Sequence, residues 1–337
     1  MKTNFGKLSV SLTCLILLYG LGGCVTSPTP SSTNPTETKI VTVNSAMSTR
    51  IPSATSTFTQ TPTLVPPTPT IIPTLNVETA SEEILRLLSS VDDSCLFPCW
   101  WGLIPEQTRI LDAQNYLTGF GVLPGGGPKF ETDEGYISFQ VPQSSSSYLD
   151  ITFEFEGKDG ILSWLQVDIQ RRIKVTYSGG ESGYEISWND PALAEVIKQY
   201  SLQNILSTYG EPSDILVFTR QTGLLNRALP VSIVLFYPQH GFMIEYVTDG
   251  QIISDNIIGC PSLAFPNFWF WSPSEQITMD DVVSTIGGYQ IGYESIVNFK
   301  TIQDATGMNI DEFYSSFKVD KNKCIETAQN IWPLPGQ

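Results

Sequence analysis

Residues 148–169 read YLDITFEFEGKDGILSWLQVDI, which is the pattern of two β-strands joined by a tight turn. Apolar and polar residues alternate before the turn, and strongly β-prone residues follow it. The GKDG sequence at residues 157–160 favours an antiparallel hairpin because it joins two such runs closely. We therefore expect strands over residues 148–155 and 161–169, with a third strand over residues 136–141 before them.

A helix precedes these three strands, and the same order of elements recurs later in the chain. Thr108 is expected to cap the first helix and Ser201 the second, which stops at Gly210. Three strands follow the second helix, over residues 215–219, 231–237 and 242–247. The repeat is about 95 residues long, which suits a duplicated small domain. The sequence therefore predicts an α+β fold of two tandem helix-on-antiparallel-sheet units, or one continuous sheet made by pairing the copies.

The whole chain divides into a leader, a tether and folded units. A signal peptide is expected at residues 1–23, a lipidated Cys24 and disordered Ser/Thr/Pro tether at 24–76, a first α+β unit at 77–190, a second at 191–259, and a C-terminal segment packed on the second unit at 260–337. Further short helices are expected over residues 78–90, 190–199, 278–288 and 311–317.

The N-terminus has the three parts of a secretory signal. Lys2 and Lys7 give a positive start, and residues 8–21 form an apolar run shorter than a membrane-spanning helix requires. The Leu-Gly-Gly-Cys sequence at residues 21–24 resembles the lipobox of bacterial lipoproteins, in which the Cys thiol receives a diacylglycerol. This resemblance implies an extracytoplasmic protein that is held to a membrane by acyl chains on Cys24.

Two further resemblances concern the folded part. Residues 95–105 contain a Pro-Cys-Trp-Trp-Gly segment, and together with the LFYPQHG sequence at 235–241 they resemble uncharacterised bacterial lipoproteins. That family has no assigned activity, so the resemblance implies no function. The TYGEP sequence at residues 208–212, which ends a helix before a strand, is similar to small assembly lipoproteins of the SmpA/OmlA type and to β-lactamase-inhibitor-like tandem domains.

Four cysteines belong to the exported part of the chain, because Cys14 leaves with the signal peptide and Cys24 carries lipid. An even number outside the cytoplasm suggests disulfides, and four cysteines allow three pairings. We favour Cys95 with Cys99 and Cys260 with Cys324. A redox dithiol and a four-thiolate zinc site are the alternatives, and the spacing and the oxidising compartment both disfavour them.

Charge and histidine content exclude several function classes. The formal net charge of -16 opposes nucleic-acid binding. His240 is the one histidine in the chain, so multi-histidine metal sites are excluded, and it lies in an expected turn without a nucleophile motif nearby. No calcium-loop motif occurs, and we expect neither a metal nor another cofactor.

Carboxylates and aromatic residues are the remaining candidates for chemistry. Glu154, Glu156, Asp168 and Glu245 lie on expected strands, and paired carboxylates hydrolyse glycosides without histidine. Alternation places them on the outward, solvated face of their strands. Four tryptophans are possible binding aromatics. Trp100 and Trp101 lie in the Pro-Cys-Trp-Trp-Gly segment, and Trp269 and Trp271 lie in an aromatic-rich run interpreted as a loop.

Two functional hypotheses follow from these residues. The first is a membrane-anchored, extracytoplasmic binding or interaction module whose partner is an envelope protein or a glycan. The second is a carboxylate-dependent hydrolase that acts on envelope glycans. They differ in one geometric requirement, because a glycosidase needs two carboxyl groups held roughly 5 to 10 Å apart at one site.

The lipidation hypothesis makes a direct prediction. Cys24→Ala should abolish incorporation of a labelled fatty acid, because the thiol is the acceptor and the tether has no membrane affinity of its own. Metabolic labelling followed by membrane fractionation measures this, with Cys14→Ala as the matched control. Label retained in Cys24→Ala would contradict the assignment.

Overall fold

Six α-helices and twelve β-strands are present in the part of the chain that the computed structural model describes. That part comprises residues 74–90, 94–121, 128–187, 190–221, 229–279, 281 and 299–333. The signal peptide, Cys24, the tether to residue 73 and most of the helix expected over 278–288 lie outside it. The described residues all belong to one compact unit, Thr68–Gln337.

The helices are α1 (Val77–Ser89), α2 (Ile110–Thr118), α3 (Pro191–Val196), α4 (Leu202–Tyr209), α5 (Ile302–Thr306) and α6 (Ile310–Val319). The strands are β1 (Lys129–Phe130), β2 (Glu134–Ser144), β3 (Ser147–Lys158), β4 (Ile161–Thr176), β5 (Ser182–Ile186), β6 (Asp214–Phe218), β7 (Leu229–Tyr237), β8 (Phe242–Ile253), β9 (Asn256–Gly259), β10 (Phe265–Trp271), β11 (Lys300–Thr301) and β12 (Ile325–Ala328). The predicted α+β class is confirmed.

Both copies of the predicted repeat are present as a helix followed by an antiparallel meander. Strands β2, β3 and β4 follow α2, and strands β6, β7 and β8 follow α4, with neighbouring strands paired in chain order in each case. The two meanders belong to one sheet of order β1-β2-β3-β4-β10-β8-β7-β6-β11. They do not pair with each other directly, because β10 lies between them.

The aromatic run interpreted as a loop is this central strand β10. Phe268 pairs with Val167 on β4 and with Ile244 on β8, so the strand closes the gap between the two copies. All seven of its residues are buried because both faces of the sheet are covered there. The C-terminal segment therefore contacts the first unit through β4, as well as the second unit on which it was expected to pack.

The helices cover one face of the sheet and form the main core with it. Ile84 on α1, Leu117 on α2 and Leu206 on α4 are fully enclosed in the same apolar cluster as Phe153 on β3 and Phe270 on β10. Burying a side chain of this size contributes about 1.5–3 kcal/mol. The helix positions that the apolar spacing assigns to this face are therefore the ones that hold the layers together.

Cys95 and Cys99 close a short loop that places an aromatic side chain in this core. The Phe97 ring lies 5.3 Å from the Tyr209 ring and 5.0 Å from the rings of Phe242 and Phe270. Its backbone N–H donates a hydrogen bond to the Tyr209 hydroxyl at 2.9 Å. The loop thereby connects the segment before α2 to α4 and to the central strands.

The start of α2 differs from the prediction by one residue. Arg109 is the N-cap, and the Thr108 hydroxyl accepts a hydrogen bond from the Ile104 backbone N–H instead of capping the helix. Leu111 on this helix is exposed, whereas Ile110 and Ala113 are buried against the sheet. The Thr108 hydroxyl is used by the hydrogen bond from Ile104 in the preceding turn, so it does not cap α2.

Both predicted disulfides are present, and they close loops of very different length. Cys95 and Cys99 are four residues apart, whereas Cys260 and Cys324 are 64 residues apart and join the region before β10 to the region before β12. In the chain-entropy description, a longer loop restricts the unfolded chain more and therefore stabilises the folded protein more. The second disulfide secures the C-terminal strands that complete the sheet.

Removing the two disulfides separately should give unequal losses. The Cys260→Ser/Cys324→Ser variant should lose roughly 4 kcal/mol of unfolding free energy and the Cys95→Ser/Cys99→Ser variant roughly 2 kcal/mol, because the closed loops differ in length. Chemical denaturation under matched conditions measures both. Equal losses, or a larger loss from the short loop, would contradict this ranking.

Candidate functional site

The sheet face opposite the helices carries a group of polar side chains on its central strands. Because side chains alternate along a strand, the residues between the core positions of β2, β3, β4, β8 and β10 point to this second face. Their cross-strand partners also share that face. We call this group the polar band, and its members are Ser138, Thr152, Glu154, Gln166, Asp168, Glu245 and Asn267.

One row of the polar band crosses three neighbouring strands. Asn267 on β10 is the register partner of Asp168 on β4 and of Glu245 on β8. Adjacent strands lie about 4.8 Å apart, so the Cα atoms of Asp168 and Glu245 are separated by about 10 Å. Two carboxyl groups that are 77 positions apart in sequence therefore flank one amide.

Side-chain amide groups donate hydrogen bonds to both carboxyl groups of this row. The Gln166 Nε2 donates to Asp168 Oδ1 at 3.1 Å and to Oδ2 at 3.0 Å. The Asn267 Nδ2 donates to Glu245 Oε2 at 3.1 Å, and the Ser232 hydroxyl is a second donor to Glu245. These hydrogen bonds fix the orientation of each carboxyl group and reduce the cost of burying its charged form.

Burial shifts the acid–base behaviour of the same two groups. Loss of hydration raises the pKa of Asp168 to about 7, against the opposing effect of the Gln166 hydrogen bonds, and nearby Glu154 and Asp150 raise it further. Burial likewise raises the pKa of Glu245 to about 7, and the charge of Asp168 adds to the effect. Both carboxyl groups are therefore partly protonated near neutral pH.

Several buried polar atoms on this face have no hydrogen-bond partner within the described protein. They include Gln166 Oε1, Glu245 Oε1 and Asn267 Oδ1 from the polar band, and the indole N–H groups of Trp269 and Trp271. Glu245 is fully enclosed, and Gln166 and Asn267 are each 7% exposed. Buried polar groups in proteins are almost always paired, so atoms of this kind indicate bound water or a ligand.

Trp269 and Trp271 lie on the same face but are enclosed. They form a second apolar cluster with Val234, Phe236 and Met243, and Ile277 packs against it. Trp100 is buried in the main core, where its ring lies 4.6 Å from Phe268, and Trp101 lies 5.2 Å from Phe153. The four candidate aromatics are therefore packing residues on two opposite faces.

The polar band is accessible on the side of β3. Thr152, Glu154 and Asp168 are partly exposed, in contrast to the members on β8 and β10. At this side a cavity of about 210 Å³ opens, and its lining includes Lys129, Glu131, Tyr136, Glu154, Glu156 and Trp164. Burial raises the pKa of Glu154, and the charge of Glu156 raises it further.

Sequence reasoning identified the carboxyl groups but not their amide partners. Glu154, Asp168 and Glu245 were candidates, and the structure places all three on one face, with Asp168 and Glu245 much less solvated than alternation suggested. Gln166 and Asn267 carry no recognisable motif. The position of Gln166, two residues before Asp168 on the same expected strand, was the available signal.

The other expected features are quickly located. His240 lies in the turn between β7 and β8, partly buried, with its ring 5.5 Å from that of Tyr209. Within the described ranges, no three His, Cys, Asp or Glu residues are placed to hold a metal ion. None of the helices described is long and apolar enough to cross a membrane.

Comparison with known proteins gives no further guide. The chain matches no family model, no curated protein and no solved structure. Its function is therefore inferred from the arrangement of its own side chains.

The raised carboxyl pKa values predict that stability falls as pH rises. The unfolded chain releases the Glu245 proton near pH 4.5 and the folded chain near 7, so the folded state binds more protons between these values. The unfolding free energy should therefore decrease across this window. Glu245→Gln should reduce that decrease by up to about 1.4 kcal/mol per pH unit.

Denaturation curves at several pH values between 4.5 and 8 measure this effect. The exposed Glu185→Gln on β5 is the matched control and should follow the unsubstituted protein. Parallel pH profiles for Glu245→Gln and the unsubstituted protein would show that Glu245 has an ordinary pKa.

Proposed function

We propose that this protein is a lipid-anchored, extracytoplasmic binding module that receives a polyhydroxylated ligand, such as an envelope glycan, at the polar band. The observation that carries the proposal is the row of hydrogen-bonding side chains, Thr152, Glu154 and Asp168, that stays partly exposed at the β3 side of the polar band, beside a cavity of about 210 Å³. The lipobox-like sequence ending at Cys24 supports anchoring to a membrane, and the Ser/Thr/Pro tether supports a position away from its surface.

The donor and acceptor content of the polar band favours hydroxyl groups as ligands. A hydroxyl donates one hydrogen bond and accepts two, so it can donate to an amide oxygen or a carboxylate and accept from a protonated carboxyl group at the same time. The band contains no lysine or arginine, and Arg172 at its margin is paired with Asp150 at 2.7 Å. An anionic ligand would therefore meet carboxyl groups without a compensating cation.

Access is also consistent with a ligand that spans several positions. The exposed side of the band offers Thr152, Glu154 and Asp168, and the neighbouring cavity adds the aromatic rings of Tyr136 and Trp164. Sugar rings combine polar edges with apolar faces, and aromatic side chains in binding sites match the latter. A glycan fits this combination better than a protein surface does.

Hydrolysis of the same glycan is the second candidate function. It is favoured by the placement of Asp168 and Glu245 on either side of Asn267, with Cα atoms about 10 Å apart. Glycosidases that invert configuration hold their carboxyl groups at about 6.5–9.5 Å. The enclosure of Glu245 favours binding over catalysis, because a reacting group must reach the substrate.

Calorimetric titration of the full mature chain with a neutral N-acetylglucosamine oligosaccharide tests the proposal. Gln166→Met should weaken binding about tenfold, because it removes the amide that orients the Asp168 carboxyl group, with little change in volume. The exposed Gln143→Met on β2 is the matched control and should bind as the unsubstituted chain does. Absence of binding at millimolar ligand, or equal effects of the two variants, would refute the proposal.

The same incubations distinguish binding from hydrolysis. Release of new reducing ends that disappears in Asp168→Asn would establish the hydrolase. Binding without release of reducing ends would establish the module without catalysis.

A further inference from the structure

The two sulfur atoms of the short disulfide lie in different surroundings. The backbone N–H of Gly102 donates a hydrogen bond to Cys95 Sγ at 3.4 Å. Cys95 is partly exposed, whereas Cys99 is buried. A hydrogen-bond donor stabilises the charged form of its acceptor, and burial disfavours that form. When the disulfide opens, the thiolate is therefore favoured at Cys95 over Cys99.

A tight turn directs the Gly102 N–H toward Cys95. Trp100 and Leu103 exchange two backbone hydrogen bonds at 2.9 Å. The two residues between them have positive φ angles, 53° at Trp101 and 85° at Gly102. Glycine adopts such angles freely, but a tryptophan rarely does. The donor at Gly102 is therefore held in place by a turn with an unfavourable backbone conformation at its neighbour.

The loop between the two cysteines is held by contacts other than the disulfide. The Cys99 backbone N–H donates to the Leu96 carbonyl oxygen at 2.9 Å, and the Phe97 N–H donates to the Tyr209 hydroxyl at the same distance. A short loop also restricts the unfolded chain less than a long one, so its disulfide contributes less to stability. The disulfide can therefore open and close within the folded protein while its two thiols stay adjacent.

An apolar cavity of about 160 Å³ adjoins this disulfide. Cys95 and Cys99 line it together with the rings of Trp101 and Tyr200, and none of the described residues that line it carries a charge. Leu96, another lining residue, is 51% exposed. An incoming apolar side chain can pack here beside the sulfur atoms, whereas a charged one would lose hydration without gaining a partner.

We propose that the Cys95–Cys99 disulfide is a thiol–disulfide exchange site that accepts electrons from the dithiol of a partner protein. The partner presents a cysteine beside an apolar side chain, which the cavity receives. The cysteine spacing differs from that of thioredoxin-like motifs, in which the N-terminus of a helix stabilises the thiolate. Here the Gly102 N–H has that role. The inference does not depend on ligand binding at the polar band.

The exchange takes two steps. A partner thiolate attacks Cys95 Sγ and forms a mixed disulfide, the bond to Cys99 breaks, and Cys99 leaves as a thiolate that takes up a proton. The second partner thiolate then attacks the partner's sulfur in the mixed disulfide. Cys95 leaves as a thiolate, which the Gly102 N–H stabilises. The two partner thiols are thereby oxidised to a disulfide, the two cysteines are reduced, and one proton is released.

Reaction of the full mature chain with a synthetic dithiol peptide tests the inference. The peptide carries two cysteines and a leucine beside the first, and mass spectrometry after an acid quench counts each protein disulfide and the peptide disulfide. Cys95–Cys99 should be reduced about tenfold or more faster than Cys260–Cys324, with an equal amount of peptide oxidised. Cys260 and Cys324 are also partly exposed, so exposure alone predicts similar rates. A peptide with aspartate in place of the leucine should react several-fold more slowly.

Single substitutions examine the two sulfur atoms separately. Cys99→Ser keeps the Cys95 thiol and Cys95→Ser keeps the Cys99 thiol. Alkylation by iodoacetamide at neutral pH should be about tenfold faster in Cys99→Ser, and its rate should reach a plateau at lower pH, because Gly102 favours the thiolate. The matched control is Cys260→Ser/Cys324→Ser, which should oxidise the peptide as the unsubstituted chain does. Circular dichroism establishes that each variant is folded.

Three results would each overturn the proposal. They are similar reduction rates for the two disulfides, reduction of Cys95–Cys99 only in unfolded chains, and a plateau at lower pH for Cys99 than for Cys95. Equal rates for the leucine and aspartate peptides would overturn the assignment of the cavity to an apolar side chain of the partner. None of these results bears on glycan binding, which the calorimetric titration measures separately.

Discussion

The hydrogen-bonded ladder that strand β10 forms with β4 and β8 is the constraint on which the molecule depends. Each meander is a three-stranded sheet with one helix-covered face, and such a sheet alone has little stability. By pairing with both, Phe265–Trp271 converts them into one sheet with a continuous core. It also supplies residues to both faces, with Phe268 and Phe270 toward the helices and Asn267 and Trp269 away from them.

The same ladder assembles the candidate site. Asp168 and Glu245 belong to different copies of the repeat, and Asn267 belongs to neither. Each copy alone therefore carries only one of these two carboxyl groups. Strand β10 places them on either side of Asn267 in one sheet face, where burial raises the pKa of each. Stability and the chemistry of the polar band consequently share one structural cause.

The predictable parts of the fold were those set by local chemistry. The helix ending at Gly210, which has a φ of 81°, and the hairpin turn before Ile161 follow from the backbone freedom of glycine and from hydrophobic periodicity. Strand β10 was missed because its aromatic residues do not alternate with polar ones and because Pro266 argues against a central strand. Both faces of the sheet are covered at that point, which removes the alternation.

The amide–carboxyl pairs of the candidate site could not be predicted from the sequence, because they too depend on which strands are neighbours. The polarity of Asp168 and Glu245 was visible, but solvent exposure depends on which strand lies beside each of them. Gln166 and Asn267 are ordinary polar residues in sequence and gain importance only as register partners or neighbours of the carboxyl groups. Without the position of β10, the sequence indicates a solvated face where the structure encloses Glu245 and Asn267.

The late position of β10 in the chain also constrains how the protein can be made. During synthesis the N-terminal residues emerge first, so β4, with 16 residues, and β8, with 12, are complete before their shared neighbour exists. The edge of β4 over residues 164–168 and the edge of β8 over residues 242–247 then wait unpaired, and such edges are templates for association between chains. A chain interrupted before the end of β10 therefore leaves two half-sheets whose inner edges are open to pairing with another chain.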